Sequence, residues 1–221
     1  MRYSRRAAVR TERYDESRDA AVELDEVDAA RVQEYALLAT LISRAPDQTL
    51  LDNLATLAGD ASPLGRAHAV MAEAARRTKE SHVAPEYFTL FIGLGRGELL
   101  PYGSYYLTGF LNDRPLARLR NDLSRLGLSR AAGQAEPEDH AATLCEVMAG
   151  LISGRFPAAP GTDRLIFEGH LLPWIGRFFG DLEQAKTAVF YRAIGALGRV
   201  FIDIEARAFA LPSGRTTEPS R

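Results

Sequence analysis

Apolar residues recur at intervals of three and four along most of the chain, the spacing that gives an α-helix one apolar face. The first such run covers residues 29–46 and the second covers 47–60. A third run, over 63–80, follows Ser62 and Pro63, which have the order of a helix cap and a proline at the first helical position. Alternation typical of a half-buried strand is lacking, so the pattern predicts an all-helical fold.

The regular spacing breaks near the middle of the chain, where glycine, proline and aromatic residues are concentrated. We predict a short helix over 87–91, an irregular loop over 93–97 and a second short helix over 104–111. The aromatic residues of this stretch would either line a groove or pack in the core, and we expect Phe88 and Tyr106 among the core members.

The second half of the chain predicts four more helices. An amphipathic helix covers 114–128 and another covers 136–154. Two further helices follow over 163–182 and 183–209, and Pro173 is expected to kink or split the first of these two. We therefore predict an all-α, single-domain bundle of about ten helices.

The helical domain is expected to span residues 27–211, between a flexible N-terminal arm over 1–26 and a flexible tail over 212–221. The arm contains SRRAAVR, which looks like a twin-arginine export signal, but the densely charged TERYDESRD follows where such a signal needs an apolar region. A hinge is predicted near 154–163, in the stretch RFPAAPGTD. A hinge of this kind would allow a helical half to exchange between two copies, so the sequence leaves both a monomer and a domain-swapped dimer open.

The composition and charge of the chain exclude several kinds of binding site and partner. The chain has 221 residues, of which 46% are hydrophobic, and a formal net charge of −2, so no global field favours nucleic acid. Its one cysteine, Cys145, excludes an internal disulfide and a four-cysteine zinc site. No apolar run approaches the roughly 18 residues of a membrane span. We expect a cytoplasmic protein that has no nucleic-acid partner and no stable insertion in a membrane.

The sequence EPEDH, residues 136–140, concentrates charge where a helix is predicted to begin. Glu136 would cap that helix, with Pro137 at its first position. In a helix, Glu136, Asp139 and Glu146 would share one face. That face is either an ordinary solvated surface or a receptor for arginine, because guanidinium groups pair well with carboxylates. His140 would lie at the edge of the apolar stripe, either hydrogen-bonded there or acting as a ligand.

Four stretches, in this order, resemble the TorD/DmsD family of redox-enzyme maturation chaperones. EYFTLFIG resembles the family's aromatic-x-x-Leu-Phe-x-Gly stretch, and LPYGSYYL its Pro-aromatic-Gly-Ser segment. EPEDH matches its Glu-Pro-x-Asp-His signature, and GHLLPWIGRFF resembles its His-x-x-x-Trp helix. The resemblance covers about residues 30–210.

The resemblance implies an all-helical cytoplasmic chaperone that binds the twin-arginine signal peptide of a molybdenum-cofactor enzyme. Such a chaperone holds the apo enzyme back from export until the cofactor is inserted. Tyr87 and Tyr102 occupy positions where some members have tryptophan. The positions that the resemblance assigns to peptide binding are Tyr87, Leu90, Phe91, Pro101, Tyr102, Asp139 and His140, to which the acidic face adds Glu136.

Two other classes of function are possible for an all-helical chain of this composition. A helical metal-dependent phosphohydrolase would need a ligand pattern, and the four histidines do not form one: the order at EPEDH is Asp-His, and no His-Glu-x-x-His is present. A Cys-His nucleophile is disfavoured because Cys145 and His140 are five residues apart and would point away from each other on one helix. A helical protein-interaction scaffold unrelated to export is the third alternative. We predict no catalytic residue, no metal site and no cofactor.

Overall fold

The computed structural model describes residues 3–5, 24–130 and 136–211. Within them lie ten α-helices, two of which continue into a π-helical segment, and one antiparallel pair of short strands, so the predicted all-α fold is confirmed. The bounds are β1 Tyr3–Arg5, α1 Glu26–Ser43, α2 Gln48–Ala55, α3 Pro63–Arg76, α4 Glu80–Tyr87 with its π segment Phe88–Ile92, α5 Gly103–Thr108, α6 Arg114–Arg125, β2 Leu128–Arg130, α7 Ala141–Ile152, α8 Thr162–Ile166 with its π segment Phe167–Leu171, α9 Ile175–Gln184 and α10 Tyr191–Ala210.

The first three helices begin where local capping residues predict. The carboxylate of Asp25 accepts a hydrogen bond from the amide of Asp28 at 2.7 Å, and Asp47 caps α2 in the same way. Ser62 caps α3, with Pro63 at its first position as expected. These bonds satisfy amide groups that the first turn of a helix leaves without an intrahelical partner.

The predicted short helix over 87–91 is part of a longer element. Helix α4 begins at Glu80, includes Pro85 in its interior, and continues into the π segment. The helix starts early because its first turn packs on the core through Val83, which is fully buried. Phe88 was expected in the core, but its side chain is 42% exposed. That expectation was wrong: Phe88 begins the π segment, and the residue that this segment buries is Leu90.

The remaining helices follow the predicted order with two shifted boundaries. Pro173 separates the π segment of α8 from α9, as predicted. The helix predicted over 183–209 is interrupted by a turn and begins only at Tyr191. The helix predicted from 136 begins at Ala141, so neither Glu136 nor Pro137 opens it.

The core forms where α7 packs on α1, and where α10 packs on α9 and α3. Its largest buried side chains are aromatic, including Trp174, Tyr35 and Tyr191. Helices α9 and α10 approach so closely that a Cβ atom on Gly195 would lie 2.3 Å from the backbone nitrogen of Glu183. Only glycine fits at that crossing, since backbone atoms cannot move aside cheaply.

The N-terminal strand β1 pairs with β2, with Tyr3 opposite Arg130 and Arg5 opposite Leu128. The other residues of the predicted arm, 1, 2 and 6–23, lie outside the described residues, as does the tail over 212–221. The flexible arm and tail therefore stay predictions, and so does the hinge near 154–163. Among the described helices, none is both long enough and apolar enough to cross a membrane.

A hydrogen-bonded pair, the half-buried His68 and the buried Glu34, joins α3 to α1 and makes stability depend on pH. The imidazole Nε2 of His68 lies 2.9 Å from Glu34 Oε2, and Glu34 is buried. The hydrogen bond with Glu34 raises the pKa of His68 above its usual value. The folded pKa then exceeds the unfolded one, so this stabilisation is fully present below the unfolded value of about 6.5 and is lost as pH rises through the folded pKa.

We therefore expect His68→Gln to lower the free energy of unfolding more at about pH 5.5 than at about pH 8.5. Urea denaturation of wild type and variant at both pH values measures the difference. His82→Gln, at an exposed position, is the control for losing an imidazole. An equal cost of His68→Gln at the two pH values would contradict the prediction.

Candidate functional site

The EPEDH sequence forms an extended turn that pairs with the segment before α5. The amide of Gly103 donates to the carbonyl of Asp139 at 2.9 Å, and the amide of Ala141 donates to the carbonyl of Pro101 at 2.8 Å. Tyr102 and His140 face each other across this short pairing. The pairing explains why α7 begins late, because the backbone of His140 is extended where it meets its partner.

Asp139 holds the two segments together from inside. Its side chain is only 3% exposed, and its Oδ2 atom accepts a hydrogen bond from the amide of Ser104 at 2.7 Å. The Oδ1 atom is buried and has no hydrogen-bond partner among the described residues. The adjacent cavity of about 20 Å³, lined by Asp139, Gly103 and Trp174, has room for about one water molecule and none for a guanidinium group. Asp139 was predicted on an acidic surface face, and the structure places it below that surface.

His140 is the N-cap of α7. Its Nδ1 atom accepts a hydrogen bond from the amide of Ala142 at 3.2 Å, and its ring lies 5.1 Å from the ring of Tyr102 in an edge-on arrangement. The residue is buried. The hydrogen-bonded position at the edge of the core, one of the two roles that the sequence left open, is therefore observed, and the role as a ligand stays a prediction.

Tyr102 and Glu136 form the accessible part of this turn. The hydroxyl of Tyr102 donates to Glu136 Oε2 at 2.6 Å, and both residues are half-buried. Burial and this hydrogen bond raise the pKa of Tyr102 well above its usual value, so the hydroxyl stays protonated and remains a donor. The other carboxylate oxygen of Glu136 makes no hydrogen bond to any residue in the described part of the chain.

A second aromatic group adjoins Tyr102. Tyr87 lies 5.0 Å from Phe91 and 5.9 Å from Tyr191, measured between ring centroids. The amide of Leu99 donates to the carbonyl of Leu90 at 2.8 Å, and this bond holds the segment that leads to Tyr102 against the π segment. Tyr87 and Phe91 are half-buried, while Leu90 is fully buried beneath them. The structure thus brings the predicted aromatic residues to one region, with Leu90 and Pro101 as its buried support.

Exposed apolar side chains continue this region along the π segment and the following loop. Phe88 and Ile92 are exposed, and Leu94 is almost wholly so. The guanidinium of Arg96 lies 5.1 Å from the ring centroid of Tyr105 and donates to its hydroxyl. The glycine-rich loop therefore contacts α5 and forms one side of the aromatic region.

Sequence reasoning missed two glutamates that fix this region to the turn before α10. Glu86 accepts hydrogen bonds from the amides of Val189 and Tyr191, each at 2.8 Å. Glu98 accepts them from the amides of Lys186 and Thr187. Each glutamate lies about a hundred residues from the amides that it satisfies, so no local pattern could have indicated either role.

Cys145 and His140, the two residues of the disfavoured nucleophile, are both buried. Burial raises the pKa of the Cys145 thiol to about 12. His140, which a Cys-His nucleophile would need as its base, instead caps α7 by accepting a hydrogen bond from the amide of Ala142. In the ranges that the structure describes, no group of three or more His, Cys, Asp or Glu residues could hold a metal ion.

Comparisons with known proteins point to one family. The family model for the nitrate reductase delta subunit matches residues 57–180. The chaperone protein TorD of Vibrio cholerae serotype O1 (strain ATCC 39315) is 28% identical over 189 residues, which is 81% of this chain and 82% of TorD. TorD of Aliivibrio fischeri is 25% identical over 145 residues, 61% of this chain and 67% of its own length.

A solved structure has the same fold. A protein from Archaeoglobus fulgidus, described as a redox enzyme maturation protein, superposes with a TM-score of 0.51 at 18% identity, covering 88% of this chain and 99% of that one. The family model takes in more than half of the sequence, and the match to TorD of Vibrio cholerae covers 81% of it. The chain therefore belongs to the nitrate reductase delta subunit family, the family of the TorD redox-enzyme maturation chaperones that EPEDH indicated.

Proposed function

We propose that the chain is a cytoplasmic chaperone that binds the twin-arginine signal peptide and the apo form of a molybdenum-cofactor oxidoreductase. In this role it assists cofactor insertion, prevents premature export and performs no chemistry of its own. Membership of the family supports the proposal, because the relatives are named chaperones. The observation that carries it is the pairing of Tyr102 with Glu136 at the surface of the EPEDH turn, beside an aromatic region.

The arginine end of the peptide would contact Glu136. One oxygen of this carboxylate is held by Tyr102, which orients the group, and the other is available for a guanidinium N–H. Glu138 lies in the same turn and Glu146 in α7, both half-buried, and their charges would add negative potential at the site. Glu138 itself is already paired with Arg120 at 2.8 Å, so we assign the direct contact to Glu136.

The apolar run that follows the arginine pair would lie on the aromatic region. Tyr87 and Phe91 present half-buried rings, and Phe88 and Ile92 present exposed apolar surface next to them. Aromatic side chains offer a large contact area at low entropic cost, which suits an apolar segment. Leu90, Pro101, Asp139 and His140 are buried, and in this proposal they hold the site in shape from beneath.

Calorimetric titration with a synthetic peptide, an Arg-Arg pair followed by an apolar helix-forming run, tests the proposal. Glu136→Gln keeps an acceptor for Tyr102 and removes the charge. We expect it to weaken binding by about 1–3 kcal/mol, the range for a hydrogen bond to a charged group. That corresponds to roughly 5- to 150-fold in Kd.

Glu138→Gln is the matched control, because it removes the same charge from the same turn at a carboxylate that Arg120 already occupies. It should change affinity much less than Glu136→Gln. A Lys-Lys peptide should bind more weakly than the Arg-Arg peptide, since an ammonium lacks the planar fork of guanidinium donors. Failure of the wild type to bind the Arg-Arg peptide would refute the proposed function, and equal losses for both glutamine variants would refute the assignment to Glu136.

A further inference from the structure

A cleft of about 980 Å³ lies between α6 and α8 with its π segment. Two of its lining leucines, Leu107 and Leu165, are exposed. Phe110 and Leu172, which lie close in sequence to other residues of the lining, are exposed as well. Exposed apolar surface gathered in this way marks a site of interaction. The apolar lining consists of Leu107, Pro115, Leu126, Leu165, Ile166 and Pro173.

The cleft is separate from the surface assigned above to a peptide. Its lining includes neither the EPEDH turn nor the aromatic region around Tyr87. The small cavity beside Asp139 shares Arg118 and Gly169 with it, so the cleft reaches the buried side of the EPEDH turn. Tyr102 and Glu136 form the accessible side of that turn.

The charge of the cleft is positive. Arg118 lines it and is exposed, and its guanidinium has no hydrogen bond or ion pair to any residue that the structure describes. The cavity beside Asp139 is too small for a guanidinium group, so Arg118 cannot pair there. The one carboxylate of the lining, Asp122, is already held by His170 and Arg125, each at 2.9 Å. The cleft therefore complements an acidic partner.

The walls of the cleft decide what kind of segment fits it. The backbone groups of α6 and α8 are bonded within their own helices, so the walls offer no strand edge to an extended peptide. An occupant must satisfy its own backbone hydrogen bonds, as an α-helix does. An amphipathic helix can lay its apolar face into a groove of this kind, whereas the flat surface of a bilayer would leave a concave cleft unfilled.

We propose that this cleft is a second docking surface, for an amphipathic helix of a partner protein that places aliphatic side chains in the cleft and a carboxylate opposite Arg118. The proposal goes beyond the proposed function and does not depend on it, because the two surfaces share no lining residue. The partner is recognised by chemistry opposite to that of the arginine-bearing peptide.

Filling the cleft tests the proposal in the full-length chain. The probe is a synthetic helix of about 18 residues with leucines at intervals of three and four, glutamates beside them and alanine elsewhere. A Cβ atom at Gly169 would meet no atom within 4 Å, so the side chain of Gly169→Tyr can enter the cleft without rearrangement. This variant should bind the probe at least about tenfold more weakly than wild type in calorimetric titration.

Gly180→Tyr is the matched control, because Gly180 is a glycine of α9 that does not line the cleft and whose Cβ position is equally open. It should bind the acidic probe like wild type. The Arg-Arg peptide should bind Gly169→Tyr as it binds wild type, since it uses the other surface. Equal weakening of both peptides by Gly169→Tyr would mean that there is one site, and would overturn the proposal.

Reversing a charge tests the contact with Arg118. Arg118→Glu should weaken the acidic probe by about fivefold or more and strengthen a probe in which lysines replace the glutamates. Arg192→Glu makes the same change at an exposed arginine of α10 outside the cleft, and it should alter both affinities much less. Equal effects of the two reversals would overturn the proposal, as would failure of wild type to bind the acidic probe, or its binding of anionic vesicles in place of that probe.

Discussion

Replacing Arg31 by methionine should lower the free energy of unfolding by about 3–5 kcal/mol, because it leaves a buried carboxylate without its charged partner. Arg31 Nε lies 2.8 Å from Glu205 Oε1, and the Glu205 side chain is only 2% exposed. The guanidinium also reaches Asp163 and Asp28, so one residue of α1 is joined to both α8 and α10. The remaining partner of Glu205, the hydroxyl of Tyr35 at 3.0 Å, is a neutral donor and cannot replace a charge.

The double variant Arg31→Met/Glu205→Gln distinguishes the cost of leaving Glu205 as an unpaired buried charge from the cost of removing the whole ion pair. It contains no unpaired buried charge at this position, and glutamine still accepts from Tyr35, so most of the stability should return. Arg199→Met is the surface control: Arg199 pairs with the half-exposed Glu183, and its loss should cost at most about 1 kcal/mol. Urea denaturation measures the free energy of unfolding of Arg31→Met, of the double variant and of Arg199→Met. Equal losses for the single and the double variant would show that packing, and not charge, sets the cost.

Replacing Trp174 by alanine should cost about 3–5 kcal/mol, the usual range for truncating a fully buried large aromatic residue. The ring packs against Tyr106 and Phe178, with centroids 5.5 and 6.1 Å away. The indole nitrogen donates to the carbonyl of His170 at 2.7 Å. Gly103, the first residue of α5, lies so close that a Cβ there would be 3.0 Å from that nitrogen. The variant should therefore also loosen the segment that carries Tyr102, and weaken peptide binding.

Trp174→Phe is the matched control, since it retains most of the ring volume and loses mainly the hydrogen bond to His170. Its expected cost is smaller, about 1–2 kcal/mol. Denaturation gives the stability, and titration of the Arg-Arg peptide under strongly folding conditions gives the affinity. A loss of less than about 1 kcal/mol for the alanine variant would contradict the view that this ring supports the site.

Much of the helical architecture could be predicted from sequence because its causes are local. The caps at Asp47 and Ser62 act on amides three residues away, and Pro173 acts on the chain at its own position. Apolar spacing of three and four likewise needs only a single turn of helix to take effect.

The candidate site could be predicted only in part. The resemblance assigned Tyr87 and Tyr102 to peptide binding, and the acidic face added Glu136. The structure brings Tyr102 and Glu136 into contact, and the bond from Leu99 to Leu90 holds the segment before Tyr102 against the π segment that follows Tyr87. The pattern of faces failed at Asp139, because it assumed a helix that had already begun. An acidic residue in a first turn is ordinarily exposed, whereas here the turn is held against Pro101–Gly103 and the carboxylate points inward to Ser104.

The sequence by itself determined the helices, most of their starting points and the residue types from which a binding site could be built. Only the tertiary structure decided that α7 begins at Ala141, that Glu86 and Glu98 satisfy amides before α10, and that the N-terminus pairs with β2. The physical reason is the distance along the chain between partners. A cap acts within about three residues, whereas these hydrogen bonds join groups some forty to more than a hundred residues apart, which meet only when the whole chain has folded.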